Sequence, residues 1–415
     1  MPRRRAVAVA TAVIMGLCLS ASAHGAVVGE GVSTRTPPNN EGSTAEGLTA
    51  EGLTAEGLTA GVSDGPQHRA AALVEQMSTD EQAASIVMGH IPTTDTAALR
   101  QYMSQGLGGF ILMGANIPDD GTALTTITDA LTVDPELPPL VAVDQEGGIV
   151  SRLPGDTYPA STTLKTSPVA ETSAAFSARA ALVADAGISV DFGTVADVTA
   201  DPGSFIFGRA LGTDPQSAAD RVAAATTAQE SLIASTLKHF PGHGAAPGDS
   251  HHAVPETAKT LEEWRASDAV PFVAGVDAGA SVLMFGHLAY TAVDPAPASL
   301  SARWHEIARE ELGFEGVIVT DDLGMLQSSG IAEYADPVAN AVTAVSAGTD
   351  LVLMIAGSTA DTAGQIAAGL SAAVDAGTLP EARLAEAATR VMTLRLQSTA
   401  ASAEWALCPD CEPAG

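Results

Sequence analysis

The stretch GVIVTD, residues 316–321, decides the fold class, because it is a short apolar run that ends in a carboxylate. Seven further apolar runs recur along the chain, at residues 86–91, 109–113, 140–144, 188–195, 232–239, 281–287 and 350–355. Each run is nearly continuous in hydrophobicity, which is typical of strands that are buried on both faces. The pattern therefore predicts eight parallel strands.

Alanine-rich stretches with helical spacing lie between the runs, for example at 166–187, 215–230 and 336–347. A last helix is predicted to start after residues 378–380. Alternating strands and helices imply a parallel sheet, and eight such units predict a single (β/α)8 TIM-type barrel over residues 66–398. An open, doubly wound sheet is the alternative, because periodicity alone does not show closure.

Several of the predicted strands end in ionisable residues, namely Asp144, Asp197, Lys238-His239, His287 and Asp321. Barrel enzymes build their active sites at the carboxyl ends of several strands. Any one of these residues alone is compatible with an ordinary surface loop. Five strand ends in step favour an active site at this end of the barrel.

The first polar cluster is VDQEGG, residues 143–148, which Arg152 follows. The two glycines let the backbone approach a ligand closely. Asp144 and Arg152 can hold hydroxyl groups through charge-assisted hydrogen bonds. A cation site is the alternative, although the regular oxygen spacing of a calcium loop is missing.

The second cluster is KHFPGHG, residues 238–244, followed by DSHH at 249–252. Histidines at this density are compatible with a zinc site. However, Pro-Gly between the first two histidines breaks the helix that a zincin motif needs. We therefore predict no metal. Asp249 can instead orient the ring of His251 and raise its pKa, which gives a general acid. The glycine-rich approach indicates a mobile loop. A solvated loop with a structural Asp–His pair is the alternative.

The third cluster is VTDDLGM, residues 319–325. A carboxylate at a barrel mouth can act as a nucleophile, and Asp321 stands at the end of the predicted strand. Asp322 is predicted to cap the following turn. A strand that ends in Asp-Asp is a weak indication by itself.

Taken in order, VDQEGG, KHFPGHG, DSH and VTDDLGM resemble the glycoside hydrolase family 3 β-N-acetylglucosaminidases of bacteria, the single-domain kind that recycles or trims cell wall. The resemblance spans roughly residues 80–397. KHFPGHG with DSH downstream is its specific part. One departure is Ile149, which stands where these enzymes often carry arginine.

The resemblance implies a retaining double displacement that needs neither a metal nor an organic cofactor. Asp321 matches the family's nucleophile, His251 its acid/base, and Asp249 the partner of His251. The residues that match sugar-binding positions are Asp144, Arg152, Arg209, Lys238 and His239. The implied substrates are peptidoglycan fragments or chitooligosaccharides that end in N-acetyl-β-D-glucosamine.

Three other functions stay open on the same site. A neutral histidine base repels an incoming anion less than a carboxylate does, so inorganic phosphate can replace water in a phosphorylase. A β-glucosidase is the second alternative. A non-catalytic sugar-binding barrel is the third, and the presence of nucleophile, acid/base and binding residues together speaks against it.

The two ends of the chain are predicted to lie outside the barrel. Residues 1–23 combine three arginines, a short apolar run and an Ala-x-Ala site, which predicts a secretory signal peptide and an extracellular or cell-wall location. An uncleaved membrane anchor is the alternative. Residues 24–65 contain EGLTA repeats and read as a flexible linker. In the tail, 399–415, Cys408 and Cys411 are predicted to form a small disulfide rather than a redox or zinc site.

The composition limits the partners of the chain. Its 415 residues carry a net charge of −30, so charge-driven binding to nucleic acid or to an anionic membrane is excluded. With 46% hydrophobic and 16% charged residues, wholesale disorder is excluded too. The expected partner is a carbohydrate substrate, the mature chain is expected to have no membrane span, and we expect a monomer.

Overall fold

The structure, a computed structural model, describes residues 65–406, with side chains described up to residue 399. The chain separates into two units, Met1–Gly61 and Val62–Gly415, and the described residues all belong to the second unit. The predicted signal peptide, the linker up to residue 64 and the two cysteines of the tail lie outside the described residues.

Ten strands run along the described chain: β1 Val87–Gly89, β2 Gly109–Leu112, β3 Leu140–Val143, β4 Val190–Val195, β5 Ala234–Phe240, β6 Glu256–Thr257, β7 Val282–Phe285, β8 Ala289–Tyr290, β9 Val317–Thr320 and β10 Val352–Leu353. Eight of them form one parallel sheet in the order β10-β1-β2-β3-β4-β5-β7-β9. Each of these eight overlaps one predicted apolar run. The short strands β6 and β8 pair separately and were not predicted.

The two ends of this sheet meet and close it into a ring. Val319 of β9 pairs in parallel with Leu351, next to β10. Leu351 N donates a hydrogen bond to Ile318 O at 3.0 Å, and Thr320 N donates to Leu351 O at 3.1 Å. The predicted (β/α)8 barrel is thereby confirmed, and the open doubly wound sheet is excluded.

Helices surround the barrel: α1 Pro66–Val74, α2 Thr79–Ser85, α3 Thr96–Met103, α4 Gly121–Leu131, α5 Ser161–Leu164, α6 Val169–Asp185, α7 Pro215–Glu230, α8 Leu261–Ala266, α9 Ala269–Asp277, α10 Ala302–Glu306, α11 Leu323–Ser328, α12 Pro337–Ala347, α13 Thr362–Asp375 and α14 Glu381–Ala406. A π-helical turn, Ile307–Glu311, follows α10. The helices predicted at 166–187, 215–230 and 336–347 correspond to α6, α7 and α12. The sequence predicts that the barrel ends at residue 398, whereas α14 continues past this residue. The predicted domain boundary is therefore not marked by the end of a helix and stays a prediction.

Local chemistry explains why two of these helices begin where they do. The Asp214 carboxylate accepts a hydrogen bond from Ser217 N at 2.9 Å, and Pro215 is the first residue of α7. Asp336 and Pro337 play the same parts at α12, where Val338 N donates to the Asp336 carboxylate at 2.9 Å. An aspartate cap satisfies a free backbone N–H, and proline at the first position has no N–H to satisfy.

The amino end of the barrel is held by one buried carboxylate, Asp350, which precedes β10. Its Oδ1 accepts hydrogen bonds from Arg383 Nη2 at 2.6 Å and Arg390 Nη1 at 3.2 Å. Its Oδ2 accepts from Ile318 N at 3.0 Å and from Arg309 Nη2. Three arginines from the outer helical layer thus converge on one strand start.

No helix among residues 65–406 is long and apolar enough to cross a membrane.

Candidate active site

The predicted site residues converge at the carboxyl ends of the strands, around a cavity of about 320 Å³. Seven of the eight line it: Asp144, Arg152, Arg209, Lys238, His239, His251 and Asp321. The eighth, Asp249, does not line this cavity but is bonded to His251, which does. A volume of this size lies at the lower end of the range for small-molecule sites, roughly 300–1,000 Å³.

Asp321 follows the last residue of β9 and is held between two strands. Its backbone N donates to Phe285 O of β7 at 2.9 Å, and its carboxylate accepts a hydrogen bond from Asp322 N at 2.8 Å. Burial raises the pKa of Asp321, but His239, His287, the hydrogen bond from Asp322 N and the Lys238 charge together outweigh burial, and the pKa lies below its ordinary value. Near neutral pH this carboxylate is therefore ionised and partly accessible from the cavity.

The neighbouring Asp322 is a structural residue, as predicted. It caps α11, where its Oδ1 accepts a hydrogen bond from Gly324 N at 2.9 Å. The same oxygen accepts from Ile355 N at 2.7 Å, and Oδ2 accepts from Ala356 N at 2.9 Å. These bonds tie the turn after β9 to the turn after β10 and so fix the backbone next to Asp321.

His251 and Asp249 form a pair on the long loop between β5 and β6. The Asp249 Oδ1 atom lies 2.6 Å from His251 Nδ1 and also accepts a hydrogen bond from His251 N at 3.0 Å. Burial raises the pKa of Asp249, but the hydrogen bonds from His251 outweigh it and lower that pKa. An ionised Asp249 keeps the proton on Nδ1, so His251 presents Nε2. Its neighbour His252 is exposed and is not among the cavity-lining residues.

Two cations beside the cavity, Lys238 and Arg209, are paired with acidic side chains. Lys238 Nζ, from β5, lies 2.8 Å from Asp144 Oδ1 and 2.7 Å from Glu146 Oε1. Arg209 binds Glu146 through Nε at 2.9 Å and Nη2 at 2.7 Å. Burial raises the pKa of Glu146, but the charges of Lys238 and Arg209 lower it by more than burial raises it, and the resulting pKa is about 2. Glu146 is thus a buried counter-ion that places both cations.

Glu146 and Asp197 are site residues to which the sequence motifs assign no role, although Asp197 is one of the predicted strand-end residues. Asp197 Oδ2 lies 2.7 Å from His239 Nδ1. Burial raises the pKa of Asp197 to about 6 and lowers that of His239 well below 6.5. Near neutral pH the pair is then a carboxylate and a neutral imidazole. His239 donates from Nδ1 and keeps Nε2 as an acceptor, which lies 3.3 Å from Arg209 Nη2.

Two further histidines of the strand ends have structural surroundings. His287 is bonded through Nδ1 to Ser299 Oγ at 2.7 Å and through Nε2 to Asp322 O at 2.9 Å. His243 is buried, and neither of its ring nitrogens has a hydrogen-bond partner among the described residues. The Phe205 ring meets His243 edge-on at 4.6 Å and His251 at 6.3 Å. His287 therefore supports the Asp321-Asp322 turn, and Phe205 separates the other two rings.

A hairpin after β3 carries Arg152 to the cavity. Gly147 and Val150 pair in an antiparallel bridge, and Ile149 at the tip is 77% exposed. Arg152 Nη2 lies 3.8 Å from Asp144 Oδ2, and its Nε is buried without a partner in the described part of the chain. The Arg152 side chain is 32% exposed and lines the cavity, so its guanidinium group can donate to a ligand there.

Residues 65–399 contain no group of three or more His, Cys, Asp or Glu side chains placed to hold a metal ion.

Comparison with known proteins identifies the family of the chain. Residues 78–394 match the glycosyl hydrolase family 3 N terminal domain. The chain belongs to glycosyl hydrolase family 3. The family expected from the four motifs is thereby confirmed, and the enzyme is a glycoside hydrolase.

Individual relatives extend the comparison. The beta-hexosaminidase of Pseudomonas aeruginosa (strain LESB58) is 38% identical over 266 residues, which are 62% of this chain and 78% of that protein. A family 3 beta-N-acetylglucosaminidase from Paenibacillus sp. str. FPU-7 superposes with a TM-score of 0.71 at 27% identity, over 82% of this chain and 64% of that one. This chain therefore spans less than two thirds of the Paenibacillus protein. The beta-N-acetylhexosaminidase from Beutenbergia cavernae DSM 12333 gives 0.67 at 27% identity, over 77% and 98%.

Proposed function

We propose that this family 3 enzyme is a secreted, retaining exo-β-N-acetylglucosaminidase. It removes terminal, non-reducing N-acetyl-β-D-glucosamine from peptidoglycan fragments or chitooligosaccharides. The observation that carries the proposal is the placement of an ionised carboxylate, Asp321, and an Asp249–His251 pair at one small cavity. The names of the hexosaminidase relatives support the choice of sugar.

The reaction proceeds in two displacements at the anomeric carbon. In the first, a carboxylate oxygen of Asp321 attacks this carbon and the glycosidic bond breaks, while His251, as an imidazolium with protons on both ring nitrogens, gives its Nε2 proton to the leaving oxygen and becomes neutral. In the second, His251 takes a proton from water, the water oxygen attacks the same carbon, and the ester bond to Asp321 breaks. Two inversions leave the sugar with its original β configuration.

A histidine stands here where glycosidases usually place a second carboxyl group. Asp249 holds the His251 ring in one tautomer and stabilises the imidazolium that forms when water is activated. The pair is more exposed than Asp321, with side chains 56% and 41% accessible for His251 and Asp249. Exposure on this side suits the departure of the leaving group and the entry of water.

The remaining cavity residues bind the sugar. Lys238, Arg209 and Arg152 offer donors, and Asp144 offers acceptors, to the hydroxyls of one pyranose, while His239 lines the same cavity and orients Arg209 through Nε2. Because Asp144 and Glu146 already neutralise Lys238 and Arg209, the cations hold a neutral sugar without a strong preference for an anion. A cavity of about 320 Å³ suits one terminal sugar, which favours exo action.

Secretion and the monomeric state are part of the same proposal. The support for secretion is the predicted signal peptide at residues 1–23. Amino-terminal sequencing of protein from the culture medium is expected to start shortly after residue 23. Protein that is retained in the cytoplasm with Met1 present would contradict secretion, and a mass above one chain in light scattering would contradict a monomer.

The first experiment measures release of p-nitrophenol by the purified chain, without added metal. We expect rapid release from the β-N-acetylglucosaminide and little from the β-glucoside, because the acetamido group is part of the recognised sugar. Equal release from both would favour a β-glucosidase. Release from neither would contradict hydrolysis and leave a sugar-binding barrel, which calorimetry with chitobiose tests.

A phosphate series separates hydrolase from phosphorylase. We expect the rate to be insensitive to millimolar inorganic phosphate and the product to be free N-acetylglucosamine. Strong acceleration by phosphate, with sugar 1-phosphate as the product, would establish the phosphorylase instead.

A further inference from the structure

The segment between β3 and α5, residues 144–160, must hold Arg152 at the cavity with little regular secondary structure. A single antiparallel bridge, between Gly147 and Val150, stabilises its hairpin. A loop that binds a substrate needs its geometry fixed by other contacts, because misplaced binding groups lower the reaction rate. The question is which side chains supply that rigidity.

Gln145 supplies most of it. Its side chain is fully buried, and its amide makes the four hydrogen bonds that an amide can make. Oε1 accepts from Arg152 N and Leu153 N, both at 2.9 Å. Nε2 donates to Ser151 Oγ at 2.6 Å and to Asp156 Oδ2 at 2.7 Å. One side chain thus binds the returning arm of the hairpin at three consecutive residues, including the backbone of Arg152.

Two buried charges hold Gln145 in turn. Asp156 Oδ2 also accepts a hydrogen bond from Arg179 Nε at 2.9 Å, and the side chains of Asp156 and Arg179 are 2% and 0% exposed. Arg179 Nη2 donates to Pro159 O at 2.7 Å. On the opposite side, Gln145 N donates to Oδ1 of Asp191, a fully buried residue of β4, at 3.0 Å. Gln145 is therefore fixed at both its backbone and its amide.

We propose that Gln145 is a positioning residue that sets the place of Arg152 at the sugar-binding cavity. It touches no substrate itself, since it does not line the cavity. It acts through the backbone of Arg152 and through the hairpin that Arg152 terminates. The inference rests on the proposed function only in assigning Arg152 to the bound sugar.

Gln145→Glu tests the proposal with almost no change in shape. The substitution removes both N–H donors and places a carboxylate against the Asp156 carboxylate, so a repulsion replaces the bond to Asp156, and the Ser151 hydroxyl must turn from accepting to donating. We expect kcat/KM for the β-N-acetylglucosaminide to fall at least about tenfold, since a displacement of about 1 Å can lower a rate about 100-fold. Ser151→Ala removes one bond and is expected to have a smaller effect of the same kind.

Gln82→Glu is the matched control. Gln82 is also a buried amide, and its Nε2 donates to Val74 O and Met77 O at 3.2 Å. It lies in α2 and does not line the cavity. We expect this variant to lose thermal stability while kcat/KM stays unchanged below its melting temperature. Equal losses of kcat/KM in both variants would overturn a positioning role.

Arg152→Ala shows whether Gln145 acts through Arg152. We expect Gln145→Glu to lower kcat/KM strongly in the wild-type background and less than about twofold in the Arg152→Ala background, because coupled residues are not additive. Independent, multiplying losses would overturn the proposal. No change in kcat/KM on Gln145→Glu would also overturn it.

Amide hydrogen exchange tests the inference without a measurement of enzyme activity. The amides of Arg152 and Leu153 donate to Gln145 Oε1, and Gln145→Glu and Ser151→Ala are expected to speed their exchange, with Gln82→Glu leaving it unchanged. Unchanged exchange in Gln145→Glu would overturn the inference. Absence of turnover by the wild-type chain would contradict the proposed function alone, and exchange would still report on Gln145.

Discussion

The two ends of the barrel each place a carboxylate next to a strand, and they use it in opposite ways. At the amino end, both oxygens of Asp350 accept hydrogen bonds, from three arginines and the Ile318 backbone N–H. At the carboxyl end, Asp321 accepts one from Asp322 N and faces a cavity. Asp350 has no accessible surface, whereas Asp321 is partly exposed.

The difference shows how one fold separates stability from reactivity. A buried carboxylate with all its lone pairs occupied holds helices to a strand and has nothing left to react with. A carboxylate that is ionised but incompletely hydrogen-bonded keeps a lone pair for an incoming carbon atom. Removal of Asp350 should therefore lower stability, and removal of Asp321 should lower activity.

The largest expected effect is the loss of turnover in Asp321→Ala. Without a nucleophile the first displacement does not occur, and we expect kcat/KM to fall on the order of 10⁴-fold or more. The melting temperature is expected to stay close to that of the wild type, because the Asp321 side chain lines the cavity and accepts one hydrogen bond, from Asp322 N. Initial rates and calorimetry on the same preparation measure both quantities. Normal turnover would refute the nucleophile assignment.

Asp350→Ala is expected to give the converse result. It leaves three arginines around an empty acceptor position, and breaking a buried ion pair in this way costs about 3–5 kcal/mol of unfolding free energy. Below the melting temperature, kcat/KM should remain within a factor of about two of the wild type. Urea titrations and initial rates test this. A stable variant without activity would mean that the amino end controls the site.

His251→Ala is expected to slow the reaction by about 10²–10⁴-fold, the usual contribution of a general acid. The loss should shrink with a 2,4-dinitrophenyl leaving group, which departs without a proton. His252→Ala is the control, because its ring lies 6.5 Å from that of His251 and does not line the cavity. Equal rate losses in the two variants would remove the assignment to His251.

The smallest effect concerns pH and Glu146, the buried counter-ion of the carboxyl end. Its pKa is about 2 in the folded chain against 4.5 unfolded, so its stabilisation is present above pH 4.5 and lost as the pH falls toward 2. The unfolding free energy of Glu146→Gln should therefore change less than that of the wild type between pH 6 and pH 3.5. Parallel curves for the two proteins would show that Glu146 is not stabilised as an anion.

Much of this architecture is predictable because it depends on local pattern. Apolar runs predict the eight strands, since a strand buried on both faces needs uninterrupted hydrophobicity. An Asp-Pro pair marks the start of α7 and of α12, with the aspartate as the cap and the proline as the first helical residue. The pair β6–β8 escapes prediction, because a strand of two residues contains no period.

The site is predictable only where a motif carries it. The motifs predict Asp321, which stands at a strand end, and the Asp249–His251 pair, whose members are two residues apart, and the structure places Asp321 and His251 at one cavity. It does not reveal that Glu146 binds Arg209 or that Asp197 binds His239, because these partners are 63 and 42 residues apart. The hydrogen-bond network around Gln145 is not predictable from the sequence for the same reason, since Asp191 and Arg179 come from other elements.

The central claim is that Asp321 becomes covalently bound to the sugar during turnover. The reagent is the glycosyl fluoride of 5-fluoro-N-acetylglucosamine. Its ring fluorine slows both displacements, while the fluoride leaving group speeds the first, so the intermediate accumulates. We predict that mass spectrometry of the treated wild-type chain finds one sugar on the peptide that contains Asp321, and none on Asp321→Asn. Sugar on another residue, or turnover with no adduct and the α-anomer as the first product, would contradict the account.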